Sequence, residues 1–346
     1  MKITTKGSEE RDVKSELAQK VKSAVERLKA FAPPDGSPYY LAFSGGKDSV
    51  TTKAIADLAG VNYEAHYRVT SVDPPELVQF IKKQHPDAFR DIPHYKSGEL
   101  EGKPITMWNL IPLKQMPPTR LARYCCEKLK EDGGDGGIAV TGVRWAESVN
   151  RKLNQGVAVI KGNFTADTDP DQIALFDETP YGVYVNERHG SLILTNDNAD
   201  NRRLVEHCFR RRKVTVNPII EWTDADVWEF IKAENIPYCE LYDEGHKRLG
   251  CIGCPMASTK DRLAEFERWP KYKDQYMRSF EKMLQRRIER NAVDPSKPVW
   301  RVGGTDVADP TAQDVYEWWM ELNDKWDEKK KSARMKGGET NAADEH

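Results

Sequence analysis

No run of this sequence approaches the roughly 20 consecutive apolar residues that a bilayer core demands, so no spanning segment is expected. Net charge is nearly absent too. The chain sets 53 Lys and Arg against 55 Asp and Glu, a balance of −2, which excludes a strongly basic nucleic-acid coat and a disordered acidic chain but leaves room for a local basic patch. Cysteine is sparse, with six in 346 residues, and in a chain of this class those few point to metal binding or redox chemistry rather than to a disulfide framework. Met1 to Lys20 lacks the apolar core of a signal peptide, and the expected compartment is the cytoplasm. No internal repeat is visible.

The residues that are present alternate between two periods. Val13, Leu17, Val21, Val25, Leu28 and Phe31 mark one face of a helix that stops before Pro33. Tyr39 to Phe43 reads as a buried strand, Asp48 to Leu58 as a helix, Val61 to Val69 as a strand, and Glu76 to Lys83 as a helix opened by Pro74 and Pro75. Such alternation predicts an α/β fold, a doubly wound parallel sheet with helices on both faces. Further on, a helix is expected from Pro117 to Lys130, strands over Ile138 to Thr141 and Val214 to Ile220, and a helix capped by Thr223. One long charged helix is expected from Lys260 to Arg290 and a last one from Ala312 to Lys325. The domain plan is an N-terminal helix over 1–34, a nucleotide-binding domain over 35–258 with an insertion at about 152–200, a helical C-terminal extension over 259–327, and a disordered tail over 328–346.

Three patterns carry chemistry. Ser44-Gly45-Gly46-Lys47-Asp48-Ser49 lies between a strand and a helix, where two glycines allow a tight turn and the helix N-terminus favours negative charge. This is an anion cradle whose spacing differs from the GxxxxGK[ST] phosphate loop. Cys125-Cys126 and the pair Cys251 and Cys254 suit either tetrahedral zinc or an iron–sulfur cluster, while Cys208 and Cys239 read as small buried residues. Arg120, Arg123, Lys128, Arg144, Arg151 and Arg248 read as anion clamps or as surface charges, and the basic cluster Arg210 to Lys213 reads as a solvated helix face.

The loop resembles the pyrophosphate-binding loop of the N-type ATP pyrophosphatase superfamily, in the branch of phosphoadenosine phosphosulfate (PAPS) reductases, with an adenine nucleotide alpha hydrolase-like fold. The resemblance runs over roughly 35–260. Arg120 with Arg123, Tyr124, Cys125, Cys126 and Lys128 is similar to that family's basic cysteine helix, and Gly142 with Arg144 and Arg151 to its second nucleotide segment. Asn217-Pro218 with Trp222, Thr223 and Asp226 is similar to its closing strand and helix. The cysteine doublet with the second pair is closest in pattern to Dnd- and Ssp-type DNA phosphorothioation pyrophosphatases, and implies a [4Fe–4S] cluster on Cys125, Cys126, Cys251 and Cys254, with zinc as the lesser alternative.

By this resemblance Ser44, Gly45, Gly46, Lys47, Asp48, Ser49, Gly142 and Arg144 bind nucleotide phosphate. Lys47 and Asp48 are the catalytic pair, with Mg²⁺ accompanying ATP. The reaction implied is adenylation of an acceptor oxygen, such as a DNA phosphate, followed by sulfur transfer. Its partners are ATP or a sulfonucleotide, DNA or a DNA-modification complex, and a cysteine desulfurase or thioredoxin as donor. A sulfonucleotide reductase forming sulfite is the alternative, but its tail nucleophile is missing, because no cysteine follows Cys254. A non-catalytic nucleotide-binding subunit is the third reading.

Overall fold

The protein is described by a computed structural model over residues 6–131, 133–134, 137–165, 181–209, 211–302 and 304–322. The tail expected from 328, the end of the last helix and Arg210 lie outside the described residues. In chain order the elements are α1 (Lys6–Ala30), β1 (Tyr39–Ala42), α2 (Lys47–Ala59), β2 (Tyr63–Arg68), α3 (Pro75–Gln84), β3 (Phe89–Asp91), α4 (Met107–Lys114) and α5 (Tyr124–Cys126). Then come β4 (Ile138–Val140), α6 (Val149–Asn154), β5 (Ala158–Lys161), β6 (Val183–Asn186), β7 (Ser191–Leu194), α7 (Ala199–Cys208), β8 (Val214–Val216) and α8 (Asp224–Ala233). Helices α9 (Thr259–Arg268) and α10 (Pro270–Val293) and the short strands β9 (Arg301–Val302) and β10 (Thr305–Asp306) follow, with a further helix over residues 312–322.

The chain divides into two compact units, each built from separate segments. The first comprises Met1–Arg68, Pro75–Asp91 and Gly133–Leu249. Its centre is an 8-stranded sheet in the order β3-β2-β1-β4-β8-β5-β7-β6. Strands β3, β2, β1, β4 and β8 run parallel, so the α/β architecture with a mostly parallel sheet is as expected. Ile138, Val140, Val214 and Val216 are fully buried, which is why these short apolar runs read as strands covered on both faces. The described residues of the stretch over 152–200 give this sheet three strands: β5 pairs antiparallel with β8 and β7, and β7 with β6. Each of these strands offers at most three consecutive apolar residues, Ala158 to Ile160 in β5 and Leu192 to Leu194 in β7, and the edge strand β6 is half-buried, so the pattern is short and weak in the sequence.

The second unit comprises Val69–Pro74, Ile92–Asp132 and Gly250–His346. Its core is aromatic, with Tyr276 and Phe280 of α10 against Trp319 at ring separations of 4.9 and 5.5 Å, and Trp108 of α4 edge-on to Tyr276. Two expected helices differ here. The helix expected from Pro117 begins only at Tyr124, because the Thr119 amide donates to the Ala122 carbonyl and the Ala122 amide to Thr119 Oγ1, a closed turn that uses up the groups a helix would need. From Cys126 it continues as a π-turn over Glu127–Glu131. The single helix expected from Lys260 to Arg290 is broken at Trp269, where Pro270 ends α9 and starts α10 at its first position.

Candidate functional site

The anion cradle belongs to the first unit. Gly46 is the N-cap of α2, and Lys47, Asp48 and Ser49 form its first turn. Gly45 has φ +73°, and a Cβ there would lie 2.7 Å from Ile81 and 2.9 Å from Leu77 of α3, so only glycine fits. The Ser44 amide donates to Ser49 Oγ (3.2 Å), the Ser49 hydroxyl to the Gly46 carbonyl (2.9 Å), and the Lys47 amide to the Tyr242 hydroxyl oxygen (2.8 Å). Among the described residues the amides of Gly45 and Asp48 have no acceptor, leaving two donors at a helix N-terminus where partial positive charge collects.

Around the loop stands a four-member charge network. Lys47 is buried, its Nζ 3.6 Å from Asp48 Oδ2, 3.4 Å from Asp224 Oδ1, and donating to the Lys247 carbonyl at 3.4 Å. Arg144 is 2% exposed and donates through Nε to Asp48 (2.7 Å), through Nη2 to Asp224 (2.6 Å) and through Nη1 to the Trp222 carbonyl (3.2 Å). Burial works against its charge, but Asp48 and Asp224 outweigh that and raise its pKa. Asp224 is likewise lowered, since Arg144 and Lys47 overcome its desolvation. Arg144 therefore spends its fork on the two carboxylates and sets their position. Gly142 acts by close approach: a Cβ there would lie 2.7 Å from the Asp48 carbonyl oxygen. Arg151 pairs with Glu147 (3.5 Å), and Arg248 is exposed.

The cysteines named as ligands fall in the second unit, with Arg120, Arg123 and Lys128. Arg120 donates through Nε to the Pro255 carbonyl (3.0 Å) and through Nη2 to that of Ala257 (3.4 Å), so it braces the backbone after the cysteine loop. Lys128 pairs with Glu127 (2.7 Å). The Arg123 guanidinium donates to Cys126 Sγ at 3.4 Å. A hydrogen bond from Cys125, with Arg123 beside it, pulls the Cys126 thiol down to about 5, while the same contact and burial push Cys125 up. Burial pushes Cys251 up to about 11 despite Lys130. Cys125 is electrostatically coupled to Cys126, Cys251 and Cys254, so one unit gathers four thiols with basic groups beside them. Among the described residues no three or more His, Cys, Asp or Glu form a group that could hold a single metal ion. A [4Fe–4S] cluster takes one thiolate at each of four irons, a wider set than ligands round one ion, and the four-thiol donor set is of that chemistry. The CxxC turn is fixed by Glu265, which accepts the Gly253 amide at 2.7 Å. Cys208 and Cys239 are buried.

Two residues that matter here escaped the sequence reading. Asp224 directly follows the Thr223 cap, where an acid suits a helix N-terminus, and that position is its only signal. Tyr242 sits in a 3₁₀ turn, Glu240–Tyr242, and no spacing marks it.

Comparison with known proteins gives a family match over residues 38–257, to the phosphoadenosine phosphosulfate reductase domain. An uncharacterised protein of Methanocaldococcus jannaschii is 25% identical over 231 residues, which are 66% of this chain and 44% of that protein. An adenosine 5'-phosphosulfate reductase of Oceanobacillus iheyensis is 42% identical over 60 residues, 17% of this chain and 25% of that enzyme. The chain thus spans less than half the length of these curated relatives. Among solved structures, a PAPS reductase from Candida auris in a phosphate complex aligns with 73% of this chain and 98% of its own, at 13% identity and a TM-score of 0.34.

Proposed function

The chain belongs to the phosphoadenosine phosphosulfate reductase domain family, and from that membership we propose that it is a nucleotide enzyme of the ATP pyrophosphatase type, adenylating an acceptor oxygen. The observation that carries this reading is the loop itself: unspent Gly45 and Asp48 amides at the start of α2, beside the buried Lys47. The acceptor oxygen attacks the α-phosphorus of ATP, its bond to phosphorus forms, the bond from that phosphorus to the β-bridging oxygen breaks, and pyrophosphate leaves with the electron pair. Lys47 and the loop amides stabilise the charge that gathers on the leaving group. Asp48, turned by Arg144, is the carboxylate that would meet a phosphate-bound Mg²⁺. The terminal sulfur of a cysteine persulfide then attacks the activated phosphorus, AMP leaves with the electron pair of the broken P–O bond, and two electrons from a thiol reductant cleave the S–S bond to free the donor cysteine; a DNA phosphate is the acceptor to test first, with a cysteine desulfurase as source of the persulfide.

Cys125, Cys126, Cys251 and Cys254 would hold a [4Fe–4S] cluster, which when bound supplies one-electron chemistry to the sulfur-transfer half. Around it Arg123 and Lys130 offset thiolate charge, and Arg120 holds the loop backbone.

A sulfonucleotide reductase is the second reading, favoured by the relatives named adenosine 5'-phosphosulfate reductase. Against it, residues 255–346 contain no cysteine to act as the thiolate that attacks the substrate's sulfur. Anaerobically purified protein with ATP and Mg²⁺ is expected to form AMP and pyrophosphate in the presence of acceptor. Lys47→Ala should lower that rate by about 10²–10³-fold. Full activity in Lys47→Ala refutes the assignment, and sulfite formed from adenylylsulfate or PAPS instead makes the reductase reading correct.

A further inference from the structure

Tyr242 has a feature the charge network does not explain. Its hydroxyl oxygen accepts the Lys47 amide at 2.8 Å. A phenol oxygen that accepts an amide still has its own proton to donate, and that proton points away from the amide. Among the described residues that proton has no acceptor.

The ring cannot easily carry the hydroxyl away. Tyr242 ends the 3₁₀ turn Glu240–Tyr242 and packs edge-on against Trp228, at 5.0 Å between ring centroids, with Tyr238 on a further edge. The oxygen also lies 3.5 Å from where a Cβ on Gly46 would stand, so the second glycine of the loop keeps the space over the hydroxyl open. The unspent amides of Gly45 and Asp48 stand two residues before and one residue after Lys47, whose amide Tyr242 accepts.

We propose that Tyr242 is a binding residue of the loop, donating its hydroxyl proton to a non-bridging oxygen of the tetrahedral oxyanion held there, while continuing to accept the Lys47 amide. The proposal rests on the reading of the loop as a nucleotide phosphate site. It adds an aromatic donor carried by a distant segment to a cradle otherwise made of loop amides and Lys47. Burial holds the phenol up to about 12, so the proton is present throughout the neutral range. A different role is easily imagined, in which the hydroxyl only plugs the Lys47 amide until a ligand displaces it. The two roles predict opposite signs.

The test is calorimetric titration of the full chain and of Tyr242→Phe with inorganic pyrophosphate, Mg²⁺–ATP and adenylylsulfate. A hydrogen bond to a charged oxygen is lost in the variant, so each anion that the wild type binds should bind about tenfold or more weakly. Unchanged or tighter binding by Tyr242→Phe overturns the proposal, because removing a mere plug frees the Lys47 amide for the anion. Failure of the wild type to bind any of the three refutes the loop reading itself, and is seen without the variant. Should Tyr242→Phe not fold, the wild type alone decides through its ultraviolet difference spectrum on adding pyrophosphate. A phenol that begins to donate to an anion moves its absorption to longer wavelength, and a spectrum without that tyrosine signal overturns the proposal.

Discussion

Single side chains of the loop are constrained more by space than by charge. Gly45 combines φ +73° with Ile81 and Leu77 beneath it, so Gly45→Ala must strain the backbone and push α3 away together. The left-handed backbone alone costs at least about 1 kcal/mol. We expect a melting temperature lowered by several degrees and loss of nucleotide binding, checked by calorimetry at a temperature where the variant is folded. Gly142→Ala meets the Asp48 carbonyl at 2.7 Å, a backbone atom that cannot swing aside, so it too should weaken nucleotide binding without removing any ligand-bearing group. The glycines were legible because their types and spacing mark a turn. Asp224 and Tyr242 were not, because each reaches the loop from α8 or the following turn only after the sheet has formed. Arg144 was legible as a cation at the site. What the chain alone does not reveal is that its guanidinium is spent on Asp48 and Asp224.

Elements were readable where local chemistry agreed with burial. Helix α8 shows this, since the Thr223 side chain accepts from the Asp226 amide, Asp226 returns the bond, and Val227, Phe230 and Ile231 face inward. Strand β3 had no such pattern, being an edge strand with Phe89 half exposed and two charged residues behind it. Helix α4 carries Pro112 inside, which argues locally against the helix that tertiary packing keeps. At the end of α3, His85 is buried against Phe43 and Phe80, and its Nε2 has no partner. Desolvation, helped by Lys53, lowers its pKa below 6.5, so the folded chain holds it neutral while the unfolded chain takes up a proton. Its contribution to stability is full above pH 6.5 and is lost as the pH falls through the lowered folded value. The melting temperature should drop on acidification below pH 6.5 by more in the wild type than in His85→Leu. Equal slopes would mean that His85 is not the group responsible.

At the scale of the molecule, the cradle lies in one unit and the cysteine quartet in the other, and neither unit is a continuous stretch of chain. A linear sequence cannot disclose such interleaving. The chemistry assigned to each unit can still be tested separately. Cys251→Ser, purified without oxygen, should lose the iron that the wild type is expected to carry, about four atoms per chain. Its affinity for Mg²⁺–ATP should remain within about twofold of wild type by calorimetry, since Cys251 and the loop belong to different compact units. Retained iron would remove Cys251 from the ligand set.

The position of β8 has a consequence for how the chain is made. It is the last strand of the large sheet to be synthesised, yet it sits in the middle, parallel to β4 on one side and antiparallel to β5 on the other. Until Val214–Val216 leaves the ribosome, β3-β2-β1-β4 and β5-β7-β6 are two partial sheets, each ending in an apolar edge with nothing beside it. The sheet closes by insertion rather than by growth, so the interval before β8 emerges is when the nascent chain is most exposed to wrong pairing and to chaperones. A chain stopped just before Val214 should be made in full amount and recovered almost wholly as aggregate.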